Sequence, residues 1–289
     1  MKNTQSALDL RIPTGKTVLM QHLQTLVLRG NPYWIGGVIT PAKLPKLAAK
    51  MADRYPVLRD ERGRTYDRSR GLASAHFVAF GTTGGNVAWW LLTSDGSGGL
   101  VDKKSPDAHV ARHALRANGH IEFEDYVMLY AHKRDARTVL DAKTGRDKKI
   151  IKDCSTWTWK MTGKAYGQVM AAIKRDVQEL KFGRDDNGIL DGLRGTLAFQ
   201  RRRPLFSGVR SQVLELHREA DSQWGLVRKA WMARYTGFAA KYGDNAGRLR
   251  SLKEVTSQHL PKMGRFKVFG DSTVGHLARG EFKSGGVES

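Results

Sequence analysis

An α+β fold is predicted, with a mixed N-terminal part built on antiparallel hairpins and a mostly helical, basic C-terminal part. Three observations carry that expectation. Residues 75–80 and 87–92 are strand-like apolar runs joined by Gly81-Thr82-Thr83-Gly84-Gly85-Asn86, the composition of a hairpin turn. Val209, Val213, Leu216, Ala220, Trp224, Val227, Trp231 and Tyr235 recur every three or four residues, one continuous stripe along a long helix. Lys plus Arg number 49 against 28 Asp plus Glu, a formal net charge of +21. Residues 192–289 hold 18 of those cations against 8 carboxylates, about half of the excess.

Taken in order, residues 1–16 are polar and read as a loose arm. Residues 17–28 crowd Val18, Leu19, His22, Leu23, Leu26 and Val27 onto one side of a helix that Gly30 ends. Tyr33–Ile39 is strand-like. Thr40 and Pro41 prepare a helix carrying Leu44, Leu47, Met51 and Tyr55, which stops at Pro56. Residues 59–71 are dense in charge and read as an exposed loop. After the first hairpin, residues 94–106 form a loop rich in Gly and Ser, 107–117 a short helix and 121–131 a strand. Residues 136–153 hold a second hairpin turning at Lys143-Thr144-Gly145-Arg146. Thr156–Met161 is a strand with Trp157 and Trp159 on one face, and Thr162 caps a helix with Ala165, Val169, Met170, Ile173 and Val177 inward. Residues 196–199 read as a further short strand.

That order is compatible with one or two split βαβ layers. The two strand-helix units, beginning at Trp34 and Trp157, share too few identities to be a repeat. Residues 182–191 are linker-like, so the expected domains are 1–182 and 192–289 with a soft boundary at 183–191. Residues 283–289 read as a weakly structured tail.

So large a cationic excess is self-repelling and implies an anionic partner, nucleic acid before any other. No apolar stretch is long enough to span a bilayer, no lipidation signal is present, and Met1-Lys2-Asn3-Thr4 does not lead into a signal peptide. One cysteine, Cys154, excludes an internal disulfide and fits a reducing cytoplasm. Arg201, Arg202 and Arg203 precede Pro204 and the start of the long helix. Unpaired backbone donors already make a helix start positive, so cations crowded there call for an anion such as phosphate. The residues expected to bind are Arg194, Arg201, Arg202, Arg203, Arg210, Arg228, Lys229, Arg248 and Arg250. DNA is favoured over RNA, because no RRM or KH signature occurs and a long basic helix suits a duplex. No catalytic residue, metal or cofactor is assigned.

Other motifs carry less. Gly15-Lys16-Thr17 lacks the P-loop's earlier glycine, position 10 being Leu10, so Thr17 is read as a helix cap. Asp185-Asp186-Asn187-Gly188 is a turn, since a calcium-loop alignment places Gly183 first and Arg194 last. His109 and His113 have metal-ligand spacing on a short helix but no zincin glutamate between them. The Asp95-Gly96-Ser97-Gly98-Gly99 loop reads as flexible. His76, His132, Glu122, Glu124 and Asp125 support a rival reading, a metal-dependent nuclease or strand-transfer enzyme. A second rival is a subunit of a ribonucleoprotein or a replication or defence assembly, binding RNA and protein partners. Trp89 and Trp90 are adjacent on a strand and point to opposite faces, so at most one is core.

Overall fold

Apolar runs rich in aromatic and aliphatic side chains make the strands Tyr33–Ile39 (β1), Ala75–Gly81 (β2) and Val87–Thr93 (β3). The computed structural model that places them describes residues 6–132, 134–140, 145, 147–179, 186–234, 260 and 270–281. The protein is mixed α and β with antiparallel sheets, as expected. It divides into two units: Met1–Ile121 with Met128–Tyr130 and Arg265–Ser289, and Glu122–Val127 with Ala131–Gly264. The 183–191 segment falls within the second unit's range.

In the first unit, β2 and β3 form the expected hairpin, antiparallel over all seven residues, and β3 pairs antiparallel with β1 from Tyr33↔Thr93 to Ile39↔Val87. A two-residue strand, Arg112–His113 (β4), completes the order β2-β3-β1-β4. Helix Lys16–Leu28 (α1) precedes β1. Helices Leu44–Arg54 (α2) and Glu61–Ser69 (α3) connect β1 to β2. Ile35, Phe77, Ala79 and Leu91 pack with Leu44, Ala48 and Met51 of α2. Side chains of the other parity, Trp34, Val78, Phe80, Trp90 and Leu92, are buried too. Both faces are therefore covered over most of β2 and β3, whereas Gly36, Gly37 and Val38 of β1 are exposed, Val38 to 63%. Trp90 is core and Trp89 only partly covered, so one of the two is core as expected, although their neighbours Leu91 and Leu92 are both buried.

Four local expectations are corrected here. The N-terminal segment is not a loose arm from residue 6 onward. Ala7 and Ile12 are buried in the α2 core beside Val274 and Leu277 of the C-terminal helix Val274–Ala278, while Ile12 N–H donates to Ser272 O at 3.0 Å. Gly15, rather than Thr17, is the N-cap of α1. Residues 107–117 form a 3-10 turn followed by β4, not a helix, so the four-residue spacing of His109 and His113 has no helical meaning. The Gly/Ser loop is stapled: Asp102 accepts from Gly98 N–H at 2.6 Å, Ser97 Oγ at 3.1 Å and Lys104 N–H at 2.9 Å. Those donors hold its carboxyl below the usual range. Gly96, at φ 123°, lies where a Cβ would meet backbone atoms of residues 71–73 at 2.8 Å.

A three-stranded sheet follows, Glu122–Phe123 (β5), Tyr126–Ala131 (β6) and Thr156–Met161 (β9) in the order β5-β6-β9. The strand expected over 121–131 is broken by a tight turn in which Glu124 takes φ 50°. Arg134–Leu140 (β7) and Asp147–Asp153 (β8) form the expected second hairpin, paired from Arg134↔Asp153 to Leu140↔Asp147. Thr162 Oγ1 accepts from Ala165 N–H at 3.2 Å and opens helix Gly163–Glu179 (α4). Helix Asp186–Arg201 (α5) then replaces both the turn at 186–188 and the strand at 196–199. Leu193 and Leu197, one turn apart, are fully buried, whereas Phe199 is 62% exposed. The long helix Ser207–Arg234 (α6) buries Val209, Val213, Leu216, Ala220, Trp224 and Val227, the predicted stripe. The side chains of Trp231 and Tyr235 lie outside the described residues, as does the 283–289 tail.

Candidate nucleic-acid interface

The three consecutive arginines are separated by the turn between α5 and α6. Arg201 ends α5, where a cation complements the negative end of the helix dipole. It stands half-buried near His217, whose pKa is lowered by burial first and by Arg201 second. Arg202 is exposed. Arg203 is built into the fold, its side chain only 12% exposed. Its Nε donates to Gln200 Oε1 at 2.6 Å, one terminal nitrogen donates to Tyr126 Oη at 3.0 Å, and Asp125 Oδ2 lies 3.7 Å away. The guanidinium carbon also sits 5.8 Å from the Tyr126 ring centroid.

The physical reason for expecting an anion at this spot is thereby corrected. The run closes one helix as well as preceding another, and the fold itself supplies Arg203 with a carboxylate, an amide and a phenol. Arg203→Ala is expected to lower unfolding free energy by about 2 kcal/mol, removing the guanidinium's bonds to Tyr126 Oη and Gln200 Oε1. Arg202→Ala should change it by less than about 0.5 kcal/mol. Urea unfolding of the two variants checks this, and equal midpoints would contradict it.

Of the other expected residues, Arg194 on α5 and Lys229 on α6 are exposed, and Arg210 is half-buried in the first turn of α6. The side chain of Arg228 lies outside the described residues, as do Arg248 and Arg250 entirely.

A second basic surface escaped the sequence reading because its residues read as loop. Asp60 Oδ1 accepts from Gly63 N–H at 2.7 Å and caps α3. One side of α3 is tied down by polar contacts. Arg59 pairs with buried Asp67 at 3.2 Å, Arg64 donates to Val57 O at 3.0 Å, and Arg68 donates to Arg29 O at 3.0 Å. The opposite side presents Arg62, Tyr66 and Arg70, four residues apart and all exposed. Tyr66 is 61% exposed; the Arg70 guanidinium carbon lies 5.6 Å from its ring centroid, with a nitrogen 3.3 Å from its hydroxyl. The signal available was Asp60 three residues before Gly63, with cation and aromatic at helical spacing.

Behind α3 the field is strongly positive. His76 of β2 is pushed down to about 3 by burial, then by Arg64, His22, Arg68 and Arg29. His22 of α1 is pushed down to about 4 by burial, then by Arg29 and Arg64. Both imidazoles are neutral at pH 7, so the arginines supply the positive charge there.

The residues of the nuclease reading are divided. His76 belongs to the first unit, and His132 with Glu122, Glu124 and Asp125 to the second. His132 Nδ1 lies 3.3 Å from Ser155 Oγ, which in turn donates to Asp153. Among the described residues no group of three or more His, Cys, Asp or Glu side chains is arranged to hold a metal ion, and no helix is long and apolar enough to cross a membrane. No protein-family model, curated protein or solved structure matches the chain.

Proposed function

We propose that the protein binds nucleic acid, DNA ahead of RNA, chiefly through phosphate contacts, and acts as a binding protein in a reducing cytoplasm. The observation that carries this reading is the net charge of +21, expressed on the surface by cations without local compensation. On α3 each carboxylate is already engaged: Asp60 caps the helix, Glu61 pairs with Arg29 at 3.0 Å and Asp67 pairs with Arg59. Arg62 and Arg70 are left as net charge. Arg194, Arg202 and Lys229 are exposed cations of the second unit, and a basic helical C-terminal surface is part of the same reading.

The strand order supports it at the level of layout. β1 and β2 both run antiparallel to β3, which lies between them, so they are parallel to one another as in a split βαβ layer. RNA-binding modules of that kind stack bases on an open sheet face. Here the aromatic side chains Trp34, Phe77, Phe80 and Trp90 of the sheet are buried, so the proposed contact surface is on the helices.

The test is binding to single- and double-stranded DNA and RNA across a salt series. Affinity for the preferred ligand is expected to fall steeply, by about a thousandfold between roughly 50 and 200 mM salt if six or more phosphates are neutralised. Replacing Arg194, Arg202 and Lys229 together by alanine should reduce the slope by up to about three. Weak binding that ignores salt would overturn the reading.

A further inference from the structure

We propose that the outward side of α3 is a stacking site for an unpaired nucleotide, with Tyr66 as the platform and Arg62 and Arg70 as the phosphate contacts on either side. The inference rests on the nucleic-acid reading and narrows it to single-stranded substrate at a named site.

An aromatic ring 61% exposed on a polar helix adds little to the core, so its position needs another account. Tyr66 lies near the middle of α3, with Arg62 one helical turn before it and Arg70 one turn after, each about 6 Å from it along the axis. The Arg70 guanidinium both packs at 5.6 Å from the ring centroid and reaches the hydroxyl at 3.3 Å, which fixes the ring's attitude while leaving it accessible. A base stacked on such a ring places its flanking phosphates toward the two arginines. Duplex DNA cannot use the ring in this way, because its bases already stack on one another; an unpaired base offers a free π-face.

The platform is held rigidly from behind. The Asp60 cap, the Arg59–Asp67 pair and the Arg64 and Arg68 bonds to backbone carbonyls anchor the inner side of α3. Little ordering is therefore required on binding, and the ring is presented before the strand arrives. The arginines near His22 and His76 add a positive field beneath the same helix. Base and phosphate are common to DNA and RNA, so the chemistry admits either sugar.

The experiment uses the full chain and labelled oligothymidylate, oligouridylate and a mixed-sequence DNA duplex. Tyr66→Ala is expected to weaken binding to the single strands about tenfold or more while leaving the duplex within about twofold. Tyr66→Trp should retain single-strand binding, since it keeps a stacking face. Arg62→Gln with Arg70→Gln should lower the single-strand salt slope by about two. The homopolymer that binds more tightly shows which combination of sugar and pyrimidine the site prefers, and oligodeoxyuridylate, differing from oligouridylate only in the 2′-hydroxyl, isolates the sugar. If Tyr66→Ala binds single strands as wild type does, or loses single strand and duplex equally, the stacking site is overturned while salt-dependent wild-type binding keeps the broader reading. Absence of salt-dependent binding by the wild type to every ligand overturns both. Unchanged thermal unfolding of the exposed-site variants separates lost contacts from lost structure.

Discussion

Acidification from pH 7 to about pH 4.5 is expected to remove several kcal/mol of folding stability, with His22 and His76 as the largest contributors. Each imidazole has a native pKa far below its ordinary 6.5, about 4 for His22 and about 3 for His76, burial being the first cause in both. Above pH 6.5 neither folded nor unfolded chain protonates them, and their contribution is fully present. As pH falls below 6.5 the unfolded chain takes up protons that the folded chain refuses. Stability then declines by about 1.4 kcal/mol per pH unit for each imidazole, until the native sites titrate near pH 4 and 3. His113 and His217, also depressed by burial, steepen the same slope. Asp102 and Asp153, held low by hydrogen bonds, act further into acid, because depressed carboxylates lose stability only as pH falls toward their own native pKa. A total of this size rivals the whole stability of an ordinary domain.

Urea midpoints measured from pH 7.5 to 5 check it. The wild type should fall steadily below pH 6.5, and His76→Gln with His22→Gln should flatten most of that slope whatever its effect at pH 7.5. A wild-type midpoint independent of pH would mean that the two imidazoles are not held neutral in the fold. If nucleic acid binds as proposed, it should weaken the effect only in part, since phosphate near Arg29, Arg64 and Arg68 offsets their smaller contribution and leaves burial in place.

Gly208→Val should destabilise the second unit by about 3 kcal/mol or more, and Gly208→Ala by about 2 kcal/mol. Gly208 is the second residue of α6 and sits against β9. A Cβ there would lie 2.5 Å from Trp159 O, 2.7 Å from Lys160 Cγ and 3.1 Å from Thr158 Cγ2. The lysine stem can move; the backbone carbonyl cannot without distorting β9. Shifting α6 outward instead breaks the bonds that Gly208 N–H and Ser207 Oγ make to Thr158 Oγ1 at 3.0 and 2.9 Å. It also strains Gln212, whose amide accepts from Met161 N–H at 2.7 Å and donates to Met161 O at 3.3 Å.

Helix propensity alone argues the opposite, since alanine in a helix is better than glycine by about 1 kcal/mol. Gly195 of α5, with nothing within 4 Å of its Cβ position, is the control, and Gly195→Ala should stabilise by up to about that amount. Thermal unfolding of the two alanine variants should move in opposite directions. A Gly208→Ala protein as stable as wild type would remove the close approach of α6 to β9 from the account.

Elements with a strong apolar period were legible in the residues. The expected β1 has its observed bounds, the β2–β3 hairpin follows from two apolar runs and the Gly-rich turn between them, and α1, α2, α4 and the α6 stripe follow from a period of 3.6, because burial selects that spacing directly. α3 was missed for the same reason. It has no apolar stripe and is held by a cap and ion pairs, so charge density looked like loop. The run Thr196-Leu197-Ala198-Phe199 looked like a buried strand because four apolar-leaning residues fit either period. Leu193 and Leu197, buried together a turn apart, decide for helix.

At the candidate site the division is sharper. Composition alone dictates the +21 charge, on which the proposed anionic partner rests, since the excess is counted from the residues however they fold. Local pattern dictates that Arg201, Arg202 and Arg203 stand beside a helix. Which of them faces solvent is a tertiary matter: Arg203 turns inward only because Tyr126, Asp125 and Gln200 meet there, and Asp125 and Tyr126 come from 75 residues or more earlier in the chain. The same holds for Arg62, Tyr66 and Arg70. Their i, i+4 spacing is written in the chain, but their shared exposure exists because Asp67 and Arg64 anchor the other side of α3. Short-range spacing sets which residues are neighbours on an element; long-range packing sets which side of that element remains in water.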